Sequence, residues 1–287
     1  MAISDFNPEF WAASLIRHLD KAFVYAQPAV ANRNYEGEIK QAGDTVHLQN
    51  VDDVTVETYD PTKDIEIEEA DTGDTGTLSI DQFKYWAVKV DDLNKVQSHV
   101  QLMDEKTKRA AVAIADVVDQ RIASHQAAVV TAGNVIEAAE EKAIKIKLAA
   151  EAYELLVDLG VQLDEQNVPT EGRFAVIPPW FHGVIQKDAR FVEAGTPKTD
   201  DVLTNGLVGR AAGFTLYKSN NVVNTAGADY RILAGSNQGI TFAEQFVETE
   251  ALRMEGRFAD LARGLYLYGS TVANADELAV LRVTNEV

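Results

Sequence analysis

The chain has 287 residues, and 26 Lys and Arg against 45 Asp and Glu leave a formal charge of −19, which opposes sequence-specific nucleic-acid binding. Its 46% hydrophobic and 25% charged residues are a globular composition, long enough for one large core or two modest ones. The absence of Cys excludes disulfides and a thiol nucleophile, while no apolar run reaches membrane-spanning length and MAISDFNPEF lacks the pattern of a signal peptide.

Residues 1–35 read as an aromatic-rich arm containing Phe6, Phe10, Trp11, Phe23 and Tyr25. Asn7 and Pro8 suit the start of a short helix, Phe10, Trp11, Ser14, Leu15 and Leu19 fit a helical stripe, and Pro28 ends whatever precedes it. Residues 36–91 are predicted to be extended. Val46 and Leu48, Val54 and Val56, Ile65 and Ile67, Leu78 and Ile80, and Trp86, Val88 and Val90 alternate with polar neighbours. Gly37, Gly43, Pro61, Gly73 and Gly76 punctuate these runs. Between Asp52 and Asp74 stand ten carboxylates against one cation, Lys63.

From about Asp92 to Val130 the period becomes helical, with Leu93, Val96, Val100, Met103, Ala110, Ile114, Val117 or Val118, and Ile122 in steps of three and four. Such a helix would span roughly 50 Å, the length of a strut. A second helix is predicted from Ala138 to Leu159, capped by Gly160. A short apolar strand and a Pro-led helix follow in PTEGRFAVIPPWFHGVI, then strands near Gly213–Tyr217 and Tyr230–Ala234. Residues 236–287 return to strands.

The acidic 36–91 hairpin has too few local apolar partners for a core of its own, and its like charges oppose compaction. A neighbouring subunit is the natural support. Lys106, Lys108 and Arg109 on the long helix, with Arg253 and Arg257 on the late strand, are cations that could receive it.

The order of arm, extended loop, long helix, compact unit and returning strands resembles the major capsid proteins of tailed bacteriophages. NVPTEGRFAVIPPWFHGVIQKDARFVEAG, NGLVGRAAGFTLYKSNNV and FADLARGLYLYGSTVANADELAVLRV are similar, in order, to segments of that family. Asp276-Glu277-Leu278 stands where the family often has Pro-Glu-Ala-Leu, a local departure. By motif the resemblance covers roughly 135–282, and by architecture the remainder.

The resemblance implies an α+β phage major capsid fold with an N-terminal arm, an extended β-hairpin loop, a long spine helix, and peripheral and axial domains. Mapped here, 1–35 is the arm, 36–91 the loop, 92–133 and 236–261 the peripheral domain with its spine helix, and 134–235 and 262–287 the axial domain. It implies a structural subunit of an icosahedral head, self-assembled into hexamers and pentamers around double-stranded DNA that it encloses without specific binding. The same fold forms the shells of cellular nanocompartments, the alternative reading. Scaffolding, portal and decoration proteins are the further expected partners. About 90 residues before the spine leave no room for a long built-in scaffolding segment, so a separate scaffold is expected. The expected location is the virion, after assembly in the host cytoplasm, with no membrane involved. The expected intersubunit residues are Phe6, Phe10, Trp11, Val54, Val56, Tyr59, Lys63, Ile65, Ile67, Lys106, Arg109, Arg253 and Arg257.

Catalytic, cofactor-binding and metal-binding residues are not expected. GLVGRAAG lacks the Gly-Lys-Ser/Thr ending of a phosphate loop, and its glycines read as turns. DTGDTG would place Gln82 where a calcium loop needs a bidentate acid. His18, His47, His99, His125 and His182 share no metal-ligand spacing, and no G-x-S-x-G occurs. Glu140 and Glu141 beside Lys142 and Lys145 read as solvated helix pairs. Some tailed-phage capsids join a loop Lys to a neighbour's Asn, but Lys63 has no catalytic constellation around it and reads as solvated.

Overall fold

The computed structural model describes residues 22–35, 45–47, 76–91, 102–138, 142–187, 207–253, 256 and 259–286. The first strands are β1 (Thr45–His47), β2 (Thr77–Ser79) and β3 (Gln82–Asp91). Helix α1 (Leu102–Ser124) follows, then α2 (Gln126–Thr131), β4 (Val135–Ile136), β5 (Ile144–Ile146) and α3 (Ala149–Glu165). Next come β6 (Phe174–Ile177), α4 (Pro179–Ile185), β7 (Leu207–Ala211), β8 (Phe214–Lys218), β9 (Asn224–Thr225) and β10 (Asp229–Gly235). Two 14-residue strands, β11 (Ile240–Arg253) and β12 (Ala259–Val272), precede β13 (Leu278–Asn285).

An eight-stranded sheet runs β4-β13-β10-β6-β8-β7, with β5 also on β13 and β9 on β10. Both of its faces are buried, which explains why β6 reads as an unbroken apolar run. Phe174 and Val176 enter the core shared with α1, while Ala175 and Ile177 enter the core beneath α3 and α4. A three-stranded sheet runs β11-β12-β3. α1 covers one face of it through Ala111, Ile114, Ala115, Val118 and Ile122, which are buried with Trp86, Phe242, Tyr266 and Tyr268. Val118 is thus the buried member of the Val117–Val118 alternative, and Val117 is exposed.

The predicted strut is interrupted within its described part. The described helix begins at Leu102, residues 92–101 lie outside the described residues, and the helical path breaks at His125. There the imidazole Nε2 meets Ser270 Oγ at 2.8 Å, and burial lowers the histidine's proton affinity. α1 therefore has 23 residues, roughly 35 Å of rise.

The predicted helix over 138–159 is also corrected. Ala138 bridges to Lys142, and Ile144–Ile146 pairs in parallel with Val283–Asn285 as an added strand. Lys145 there forms an ion pair with Glu286 rather than a helical one, while Glu140 and Glu141 lie outside the described residues. The helix starts at Ala149, where the Glu151 carboxylate accepts the Lys147 and Leu148 N–H groups at 2.7 and 3.1 Å, and these bonds lower its pKa. It passes through Gly160, which is buried near Phe214, and stops where Asn167 adopts φ 59°.

Of the GLVGRAAG glycines, Gly213 lies in a turn as expected, Gly209 sits instead within β7 at a register shift, and Gly206 lies outside the described residues. Ala212 (φ 50°) and Gly213 (φ 82°) make the tight connection between β7 and β8. α4 begins with Pro179 in its first turn, as read from the sequence.

The sequence boundary between 261 and 262 falls inside β12, which remains in the three-stranded sheet along its whole length. Only β13 of the closing segment crosses to the eight-stranded sheet. Residues 22–35, read as arm, form part of the core: Phe23, Tyr25, Ala26, Val30 and Ala31 are buried. Asn32 bridges to Thr241 of β11, and Phe23 meets Phe242 edge-on at 6.2 Å.

The base of the extended loop crosses the other face of the three-stranded sheet at one end. Leu78 and Ile80 are buried there with Ala243 and Leu267. The approach needs a glycine, because a Cβ on Gly269 would stand 2.4 Å from the Ser79 carbonyl oxygen. Gly269→Ala is expected to lower unfolding free energy by about 1–3 kcal/mol through overpacking. The urea midpoint would check this, and an unchanged midpoint would show that β2 does not rest on β12.

Candidate assembly interface

In a strand, alternate side chains go to opposite faces. In β3, Trp86 and Val88 point toward α1, so Phe83, Tyr85, Ala87 and Lys89 project from the opposite face. The β12 register puts Leu265 opposite Tyr85 and Arg263 opposite Ala87 on that same side. β11 adds Glu250 opposite Arg263 and Leu252 opposite Leu261.

Beyond the end covered by Leu78 and Ile80, none of the described residues covers this face. Tyr85 is 81% exposed and Phe83 51%, with Leu265 and Leu252 also exposed beside them. Arg263 Nε donates to Glu250 Oε2 at 2.7 Å across the same surface. The face therefore combines apolar and aromatic side chains with a charge pair, the composition of a protein-contact surface.

None of the expected aromatic or loop contacts can be placed. Phe6, Phe10, Trp11, Val54, Val56, Tyr59, Lys63, Ile65, Ile67 and Arg257 lie outside the described residues, as does the Asp52–Asp74 acidic stretch. Lys106 and Arg109 are exposed on α1. Arg253 ends β11 opposite Asp260, and its side chain lies outside the description.

Phe83 and Tyr85 escaped the sequence reading, which followed the Trp86 phase of the strand. An aromatic residue on each phase was the available signal for a strand with two apolar faces.

Other polar groups serve the fold. Arg282 Nη2 donates to Asp229 at 2.7 Å and its Nη1 to Glu137 at 2.6 Å, bonds that raise its proton affinity. Buried Arg173 donates from Nε to the Pro169 carbonyl at 2.9 Å and forms a 2.7 Å ion pair with Asp164. Among the described residues, no group of three His, Cys, Asp or Glu could hold a metal, and no helix is long and apolar enough to cross a membrane.

An exposed aromatic sheet face marks a protein that meets other protein surfaces. A sequence model described as phage capsid protein matches residues 77–283, so this chain belongs to the phage capsid protein family. The fold agrees with solved structures. One, titled Mycobacterium phage Che8, is 24% identical, with 90% of each chain covered and a TM-score of 0.68. The capsid of Ralstonia phage GP4 is 12% identical, covering 93% of this chain and 90% of that one, with a TM-score of 0.65. The SrpI encapsulin complex of Synechococcus elongatus PCC 7942 is 11% identical, covering 86% and 84%, with a TM-score of 0.57. A search of curated proteins returns no match.

Replacing both Phe83 and Tyr85 by Ser is expected to leave folding stability within about 1 kcal/mol, since neither side chain is buried. Assembly should fail nonetheless. Thermal melts and sedimentation of the variant check both halves, and normal particles would remove this face from the interface.

Proposed function

We propose that the chain assembles into hexamers and pentamers of an icosahedral head that encloses double-stranded DNA, and that it acts without enzymatic turnover. The observation that carries this reading is the open aromatic sheet face in a member of the phage capsid family. An aromatic face left in water favours self-association, and several such contacts per subunit add through multivalency.

In this reading α1 and the three-stranded sheet form the peripheral domain, and the eight-stranded sheet with α3 and α4 forms the axial domain at the capsomer centre. The arm and the acidic loop extend to neighbours, with Phe6, Phe10, Trp11 and the loop residues Val54 to Ile67 as contacts. Lys106, Arg109, Arg253 and Arg257 receive them. Scaffolding, portal and decoration proteins complete the particle in the host cytoplasm. The charge of −19 suits an inner wall that does not adhere to DNA, so the genome can enter and leave.

The second reading, a nanocompartment shell, is favoured by the similarity to the SrpI encapsulin. Contents discriminate between the two. Particles isolated from the native source should hold nuclease-protected double-stranded DNA; an enclosed enzyme in place of DNA would establish the compartment reading.

The loop's role is tested by replacing Thr55–Thr75 with a short Gly-Ser linker, which spares the Thr77–His47 pairing at the base. A soluble subunit that builds no normal shells is expected. Ordinary heads from this variant, seen by negative-stain electron microscopy, would refute the loop-on-neighbour contact.

A further inference from the structure

Arg231 of β10 stands directly opposite Arg282 of β13. Leu233 and Val280 of these strands enter the core shared with α1, whereas Ile232, Ala234, Ala279 and Leu281 enter the other one. Alternation therefore puts both arginines on the α1 side of the eight-stranded sheet. Like charges opposed across a ladder destabilise it. Two carboxylates restore neutrality, but the arginines do not share them evenly. Arg282 takes Glu137 Oε2 at 2.6 Å and Asp229 Oδ2 at 2.7 Å. Arg231 is left with the same Asp229 oxygen at 4.0 Å from its Nη2, outside hydrogen-bond distance. Its Nε–H is buried without an acceptor among the described residues. The side chain is nonetheless 27% exposed, which leaves it open to a partner.

We propose that Arg231 is a carboxylate receptor for a second copy of this chain. A partly dehydrated guanidinium, set beside another cation with its donors unspent, is preorganised for an anion. Its planar donor fork matches the two oxygens of a carboxylate. One negative charge fits a network in which Arg231 and Arg282 already face Asp229 and Glu137. The successive phosphates of a nucleic acid would be repelled by those two acids and by the net charge of −19. With 45 Asp and Glu against 26 Lys and Arg, another copy presents more carboxylates than cations. The inference rests on the self-assembly reading and adds the eight-stranded sheet to the surfaces that meet a neighbour.

Stability and assembly should move apart when this residue is changed. Removing a cation that serves only its own fold lowers stability, whereas removing a receptor that faces Arg282 relieves repulsion. In the full chain, Arg231→Gln should therefore melt no lower than wild type. The protein concentration at which particles appear, followed by light scattering and negative-stain microscopy, should rise about tenfold. An unchanged threshold, or a lower melting temperature, would overturn the receptor. Intact assembly with a loss of enclosed DNA would give the site to phosphate and overturn it as well.

Arg231→Lys identifies the partner directly. Carbodiimide joins the new amine at position 231 to a carboxylate that it touches. A mixture of isotope-labelled and unlabelled chains separates coupling between copies from coupling within one. A mixed-label peptide pair that includes position 231 is expected. Coupling to Asp229 of the same chain alone would sink the inference. A wild type that forms no particles would count against the head reading, whereas particles in which position 231 couples only within its own chain count against the receptor alone.

Discussion

One constraint organises the molecule: among the described residues the three-stranded sheet has a single helix layer, α1, which buries only one of its faces. Trp86, Phe242, Tyr266 and Tyr268 lie on that buried side. A buried large apolar side chain contributes about 1.5–3 kcal/mol, so this layer supplies most of the sheet's burial among the described residues. Antiparallel sheets tolerate water on the second face. Beyond the end that Leu78 and Ile80 cover, the side that carries Phe83 and Tyr85 is therefore released from folding duty, and its apolar character there calls for a different explanation. Self-assembly supplies one.

The same economy governs the arm. Its root is built into the core by Phe23 and Tyr25, by the Asn32 bridge to β11, and by the amides held on Asp119. These bonds act within one chain and are complete before any neighbour arrives. They fix the place of residues 22–35 on the body.

Much of the fold was legible because it rests on local periodicity. The stripe Ile114, Val118, Ile122 and the run Phe174–Ile177 state their burial outright. The misreadings have nonlocal causes. Ile144–Ile146 is a strand because β13 offers an edge to it, and the helical reading of 138–148 could not see that edge. Gly160 looked like a helix stop, whereas its place is a buried helix face beside Phe214, with Asn167 ending the helix instead. β12 was divided at 261 by the domain mapping that the resemblance implied, whereas the hydrogen-bonded ladder crosses that point without interruption. For the interface, strand phase was readable but the identity of the covered phase was not. That depends on which side α1 occupies.

Charge and apolar contact then take complementary roles. Subunits that each carry −19 repel at long range, and salt limits that repulsion to about 10 Å at 0.1 M. Cations such as Arg282 and Arg173 are committed within the chain, where they cannot steer a neighbour. Short-range burial of surfaces such as the Tyr85 face then works against a net like-charge repulsion that is screened beyond that distance. Each contact is left weak, so a misplaced subunit can depart before the next one locks it in. A closed shell needs that reversibility, and closure makes the sum of the weak contacts durable.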